Sequence, residues 1–115
     1  MAITEAFTGT ATIGTAENSC TTNTAGPDVE TSDGVFQCFL ELNALADGDI
    51  FEFRVYEKVL TGSTQRQALL VTITNAQVDA VMVIPSLILI NGWDMTLKKV
   101  VGTDRSISWS IRKLA

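Results

Sequence analysis

The stretch Asp49-Ile50-Phe51-Glu52-Phe53-Arg54-Val55-Tyr56-Glu57-Lys58-Val59 constrains the fold more than any other part of the chain. Phe51, Phe53, Val55 and Val59 share one parity, and Glu52, Arg54, Tyr56 and Lys58 share the other. Successive side chains of a strand point to opposite faces, so this segment has one apolar face and one charged face. Asp47-Gly48-Asp49 supplies a turn before it and Thr61-Gly62-Ser63 one after it. A sheet wetted on one side must bury the other against a second layer, which predicts a two-layer β domain.

The same test extends along the chain. Residues 35–42 put Phe36, Cys38, Leu40 and Leu42 on one side, with Val35, Gln37, Phe39 and Glu41 on the other. Val35 and Phe39 call for a cover, so this strand is central, shielded by another segment, or part of a contact surface. Residues 43–46 link it to the next strand, and an arch between layers is favoured over direct pairing. Residues 65–74 form a strand with Leu69, Val71 and Ile73 on one side. Residues 75–80 fit a loop or a single helical turn. Two apolar runs, 81–84 and 87–90, flank Pro85, which lacks an N–H and so marks a kink or an edge. Asn91-Gly92 is a strong type I′ hairpin signal, predicting that 87–90 pairs with 93–100. Gly102-Thr103-Asp104 then leads into 106–114, where Ile107, Trp109 and Ile111 alternate with Ser106, Ser108, Ser110 and Arg112. No interval longer than about a dozen residues lacks a turn signal, and no long helical period occurs. The expectation is an all-β sandwich of about seven or eight mainly antiparallel strands, with a C-terminal three-stranded meander.

Residues 1–15 read differently. They are rich in Thr, Ala and Gly, with Ile3, Phe7 and Ile13 as the large apolar residues. This composition suits an extended N-terminal arm that pairs with a sheet edge or with a neighbour, or else a frayed terminus. On the arm reading, deleting 1–15 leaves the sandwich domain, 16–115, intact and weakens assembly.

The chain has 115 residues, 46% of them hydrophobic and 18% charged, which places it with single globular domains. Folding at this length removes roughly two-thirds of the unfolded chain's surface from water, enough for a core without metal or disulfide staples. The net charge of −5 is unevenly spread: residues 1–53 carry −9 with no Lys or Arg, and residues 54–115 carry +4. Either the halves interleave and neutralise each other, or the surface is bipolar and associates by charge complementarity. No run approaches the ~20 apolar residues of a membrane span. The N-terminus has neither the basic head nor the apolar centre of a secretory signal, so a cytoplasmic setting is expected. There Cys38 is expected as a buried hydrophobe and a bond to Cys20 is disfavoured.

The sequence is poor in reactive groups. It has no histidine, which excludes Ser-His-Asp and Cys-His catalysis. Two cysteines cannot build a structural zinc site, and no glycine-rich phosphate loop is present. Asp47-Gly48-Asp49 and the group Asp28, Glu30 and Asp33 are better read as solvated turns than as cation sites. Lys98, Lys99, Arg105, Arg112 and Lys113 gather late in the chain, but the net charge disfavours nucleic acid. Trp93 and Trp109 share parity with Met95, Leu97, Ile107 and Ile111, which places them in a core rather than on a carbohydrate platform. Tyr56, on the charged face, is the aromatic expected to reach solvent or a neighbour. The chain is expected not to be an enzyme, to hold no cofactor or metal, and to contact neither nucleic acid nor membrane.

Two stretches carry a resemblance. One runs from Asp33-Gly34-Val35-Phe36-Gln37 to Gly48-Asp49 and Tyr56-Glu57-Lys58. The other runs from Pro85-Ser86-Leu87-Ile88-Leu89 through Gly92-Trp93-Asp94-Met95-Thr96-Leu97-Lys98 to Gly102-Thr103-Asp104-Arg105-Ser106-Ile107-Ser108-Trp109-Ser110-Ile111-Arg112. Together, over residues 33–113, they resemble small virion proteins of tailed bacteriophages that decorate or cement the capsid shell. The resemblance implies a β-sandwich, dimeric or trimeric, that clamps neighbouring subunits of the major capsid protein on the virion after assembly in the host cytoplasm. Its contact residues would be Ile3, Phe7 and Ile13 of the arm and Val35, Phe39 and Tyr56 at the seam. A tail tube, tail terminator or head–tail connector subunit is the second reading, although such proteins often pack one long helix on the sandwich. A carbohydrate-binding sandwich is the third.

Overall fold

The computed structural model describes residues 2–114, so Met1 of the expected arm and Ala115 of the expected sandwich domain lie outside the described residues. Eight strands form: β1 (Ile3–Ile13), β2 (Asn18–Ser19), β3 (Gly34–Glu41), β4 (Ile50–Glu57), β5 (Arg66–Thr74), β6 (Val81–Leu89), β7 (Trp93–Val101) and β8 (Arg105–Leu114). They make two four-stranded sheets, ordered β1-β8-β3-β6 and β2-β7-β4-β5, with every pairing antiparallel. The fold is an all-β sandwich.

The alternation in the sequence supplies the core. Phe51, Phe53 and Val55 of β4 point inward with Trp93, Met95 and Leu97 of β7, facing Phe36, Cys38 and Leu40 of β3 and Ile107, Trp109 and Ile111 of β8. Trp93 is the largest fully buried side chain; its ring centroid lies 4.6 Å from that of Phe36 and 5.8 Å from that of Phe7. Its indole N–H donates to Ser32 O at 2.7 Å, and the Trp109 indole donates to Cys20 O at 2.8 Å, so both polar ends are satisfied inside. Cys20, despite its polar neighbours, is as buried as Cys38, and both thiols are free. Burial pushes Cys38 up to about 12 and Cys20 well above its usual range.

Three expectations need correction. The C-terminal meander does not form: β6 pairs with β3 in the first sheet, whereas β7 pairs with β4 and β2 in the second. Leu89 and Trp93 must both reach the core, which they do from opposite layers, and no hairpin can place them so. The Asn91-Gly92 backbone instead bridges the layers: Ile90 N and Asn91 N donate to the Glu57 carboxylate, and Lys58 N donates to Gly92 O. Gly102-Thr103-Asp104 is a second such arch, like the favoured one at 43–46. Of the seven connections between strands, β4 to β5 is the one that stays within a sheet.

The second correction concerns the N-terminal segment only in part: of its expected alternatives, pairing with a sheet edge is the one that forms, but as a full strand of the sandwich. Ile3–Ile13 is the edge strand of the first sheet, paired with β8 from Ile3 opposite Leu114 to Ile13 opposite Arg105. Gly9 sits opposite Trp109, where a Cβ would lie 2.5 Å from the indole ring, so glycine is what lets the ring lie over the strand. Third, the organising strand ends at Glu57 after an irregularity between Val55 and Tyr56, which leaves Val59 on an exposed loop. Residues 75–80 are a loop, and Pro85 lies on edge strand β6 opposite a register shift in β3, as its missing N–H requires.

Asp49 pins the arches at one end of the sandwich. Its buried carboxylate accepts from Arg105 Nε at 2.7 Å, Ala46 N at 2.9 Å and Thr103 N at 3.1 Å. The bond from Arg105, then that from the Ala46 amide, hold its carboxyl down to about 2 from an ordinary 3.8. A depressed folded pKa means that the stabilisation is complete above the unfolded value and is lost as pH falls through the folded one. The thermal midpoint of the wild-type chain should therefore drop between about pH 4 and pH 2, and its lead over Asp49→Asn should shrink across that window. A lead that stays constant through the window would show that the carboxylate is not what these bonds depend on.

Candidate association face

The six residues expected at contacts go to different places. Ile13 is closed inside the core, and Phe7 is half-buried edge-on to Trp93, so both serve the sandwich. Tyr56 lies on the outer face of the second sheet but is occupied within the molecule. Its hydroxyl donates to Glu17 Oε2 at 2.6 Å, the same oxygen that accepts from Thr96, while Arg54 pairs with Glu17 and Glu52. Burial first, then the bond to Glu17, raise the Tyr56 hydroxyl. This network, in which the buried Arg54 Nε alone is left without a partner, fastens the segment before β2 onto the second sheet.

Asp94 fastens the segment after β2. It accepts from Thr21 Oγ1 at 2.9 Å and from Asp28 N at 2.7 Å, and burial, outweighing these bonds, raises its carboxyl. The outer face of the second sheet is thus partly roofed along β7, where Asp94 and Thr96 are buried. Three of the four ion pairs in the described residues join an acid from the first 53 residues to a base from the remainder. The charge halves interleave in the fold.

Ile3, Val35 and Phe39 do come together, on the outer face of the first sheet. Register aligns Ile3 of β1, Leu114 of β8, Val35 of β3 and Ile88 of β6 in one row across all four strands. Ile3 is 70% exposed and Ile88 77% exposed. The row after it is polar, with Glu5, Arg112 and Gln37 in register and Gln37 Nε2 donating to Ser86 Oγ at 2.9 Å. Phe39 follows, its ring covered by the Arg112 guanidinium 3.8 Å from the centroid, beside exposed Val83 and Val81. Three shallow hollows open on this face; one of about 270 Å³ is lined by Ile3, Val35, Phe39, Arg112 and Leu114, among others. Towards β1 the face becomes a lattice of hydroxyls, Thr8, Thr10 and Thr12 opposite Ser110, Ser108 and Ser106.

Sequence reasoning found Val35 and Phe39 by their parity but missed Ile88, Ile90 and Leu114. The unbroken apolar run Leu87-Ile88-Leu89-Ile90 was the available signal, since a strand apolar at every position has two faces to cover. No group of three or more His, Cys, Asp or Glu able to hold a metal ion occurs among the described residues. Asp28 accepts from Thr22 Oγ1, and Glu30 from Thr31 N and Ser32 N, so these carboxylates are turned to separate local partners. No protein-family model, curated protein or solved structure matches the chain.

Proposed function

We propose that the chain is a structural subunit of a tailed-bacteriophage virion, a decoration or cement protein that oligomerises and clamps neighbouring subunits of the major capsid protein. The observation that supports an associative role is the apolar row across the four strands of the first sheet, bare at both edges. Contiguous apolar surface rimmed by polar groups is characteristic of a contact site. The viral setting rests on the resemblance of residues 33–113. Each contact is weak alone, and a capsid lattice fixes the spacing of many copies so that the contacts act as one. Eight strands without a long helix among the described residues favour the shell over the tail or connector reading. Both tryptophans are in the core, which leaves a carbohydrate-binding reading without its platform.

Purified chain added to undecorated capsids of the phage that encodes it is expected to bind in many copies at lattice-fixed positions and to raise their rupture temperature. Absence of binding would reject the proposal. A few copies at a single vertex, or rings and tubes in negative stain, would transfer the chain to the connector or tail.

A further inference from the structure

Asn91-Gly92 is the one Asn-Gly pair in the sequence, and it lies where the chain crosses from β6 in one sheet to β7 in the other. Asparagine before glycine is prone to modify itself, because glycine has no Cβ to shield its amide nitrogen. On losing its proton, that nitrogen attacks the asparagine Cγ. A C–N bond forms, the Cγ–Nδ2 bond breaks and ammonia leaves. Water then opens the five-membered imide at either carbonyl, giving aspartate or isoaspartate.

The fold opposes the first step. Asn91 Nδ2 donates to Val59 O at 3.1 Å and to Lys58 O at 3.4 Å, and Thr61 Oγ1 donates to Asn91 Oδ1 at 3.3 Å. Cyclisation must break the first two bonds to release Nδ2 as ammonia. The backbone on both sides of the reacting bond is held as well. Ile90 N and Asn91 N donate to the Glu57 carboxylate, and Gly92 O accepts from Lys58 N at 3.2 Å. Gly92 is buried, and a Cβ there would lie 3.0 Å from Val29 Cγ1 and 3.2 Å from Lys58 Cδ, so the segment has little room to turn.

We infer that Asn91-Gly92 is a self-modification site that the native fold holds closed and that local opening of this end of the sandwich releases. The product does not fit where the asparagine was. A carboxylate at position 91 has no N–H to give, and it would face Lys58 O and Val59 O, with the Glu57 carboxylate already bonded to the amide of the same position. Acceptors left facing one another lose the bonds and repel. The isoaspartate product also lengthens the backbone by one methylene where the two layers are joined. A brief opening is thereby turned into a lasting change in that copy of the chain. This holds independently of any role in a virion.

The full chain is incubated in mildly alkaline buffer, native or unfolded in guanidinium chloride, and the segment holding Asn91 is followed by peptide mass mapping. In the unfolded chain Asn91 is expected to turn from amide to acid, with both products resolved by chromatography. The native chain is expected to convert about tenfold more slowly or less, since reaction must await local opening. Glu57→Ala frees the amides of Ile90 and Asn91, and is expected to speed native conversion while leaving the unfolded rate unchanged. Asn91→Asp is expected to melt below Asn91→Ala, because both lose the donor and only the first adds a repelled charge. Equal rates in the native and unfolded chain, or no conversion when unfolded, would overturn the inference. So would a folded Glu57→Ala chain that converts no faster than the wild type, or Asn91→Asp melting with the wild type. If Glu57→Ala fails to fold, the wild-type rates and the two Asn91 variants decide the matter.

Discussion

Replacing Trp93 by alanine is expected to cost about 3–5 kcal/mol, the range for removing a large buried aromatic side chain. Against a total of about 5–15 kcal/mol for a native domain, that leaves the chain marginal or unfolded at 37 °C. Trp93 is completely buried between the two sheets. It packs on Phe36 of the facing sheet, meets Phe7 of the first strand and ties down Ser32 O. The surrounding side chains come from both sheets, so the site cannot close by moving one element. Urea unfolding followed by far-ultraviolet circular dichroism gives the number. A loss under about 1 kcal/mol would mean that the cavity collapses at little cost and that the indole is not central to the core.

Deleting residues 1–15 is expected to abolish the cooperative unfolding transition, a reversal of what an appended arm would do. The deletion strips β8 of its partner along one side, uncovers the indole that lies over Gly9, and removes Ile13 from the core and Phe7 from the side of Trp93. The remaining sheet would present a long strand with free N–H and C=O groups, the condition that leads to aggregation. Soluble truncated chain with a thermal midpoint close to that of the full chain would show that β1 contributes pairing without stability.

How much was legible in the sequence depended on the range of the physics involved. Inward and outward positions on β3, β4, β7 and β8 follow from parity, which is a local property, and the core contains the residues that parity selects. Connectivity is not local. Asn91-Gly92 satisfies the chemistry of a tight turn, yet Leu89 and Trp93 are both core residues and the layers needed joining there; the packing of two apolar side chains outweighed a turn preference. The Thr- and Gly-rich opening looked unanchored because its small residues are the complement of a large one, Trp109, a hundred positions away, and no local pattern reveals such a pair. Of the association face, Val35 and Phe39 were visible by parity, while the row they belong to needed the register of four strands.

The order of strands also governs when the molecule can come into being. β8 lies between β1 and β3, so the earliest and the middle segments of the first sheet both wait for the final strand to be synthesised. Until β8 is made, β1 and β3 have nothing between them, and closure then requires pairing as distant in sequence as Ile3 with Leu114. Such distant pairing is slow to nucleate and leaves unpaired edges open to trapping by other chains in the meantime. Losses to aggregation are therefore expected to fall mainly in the interval before β8 pairs.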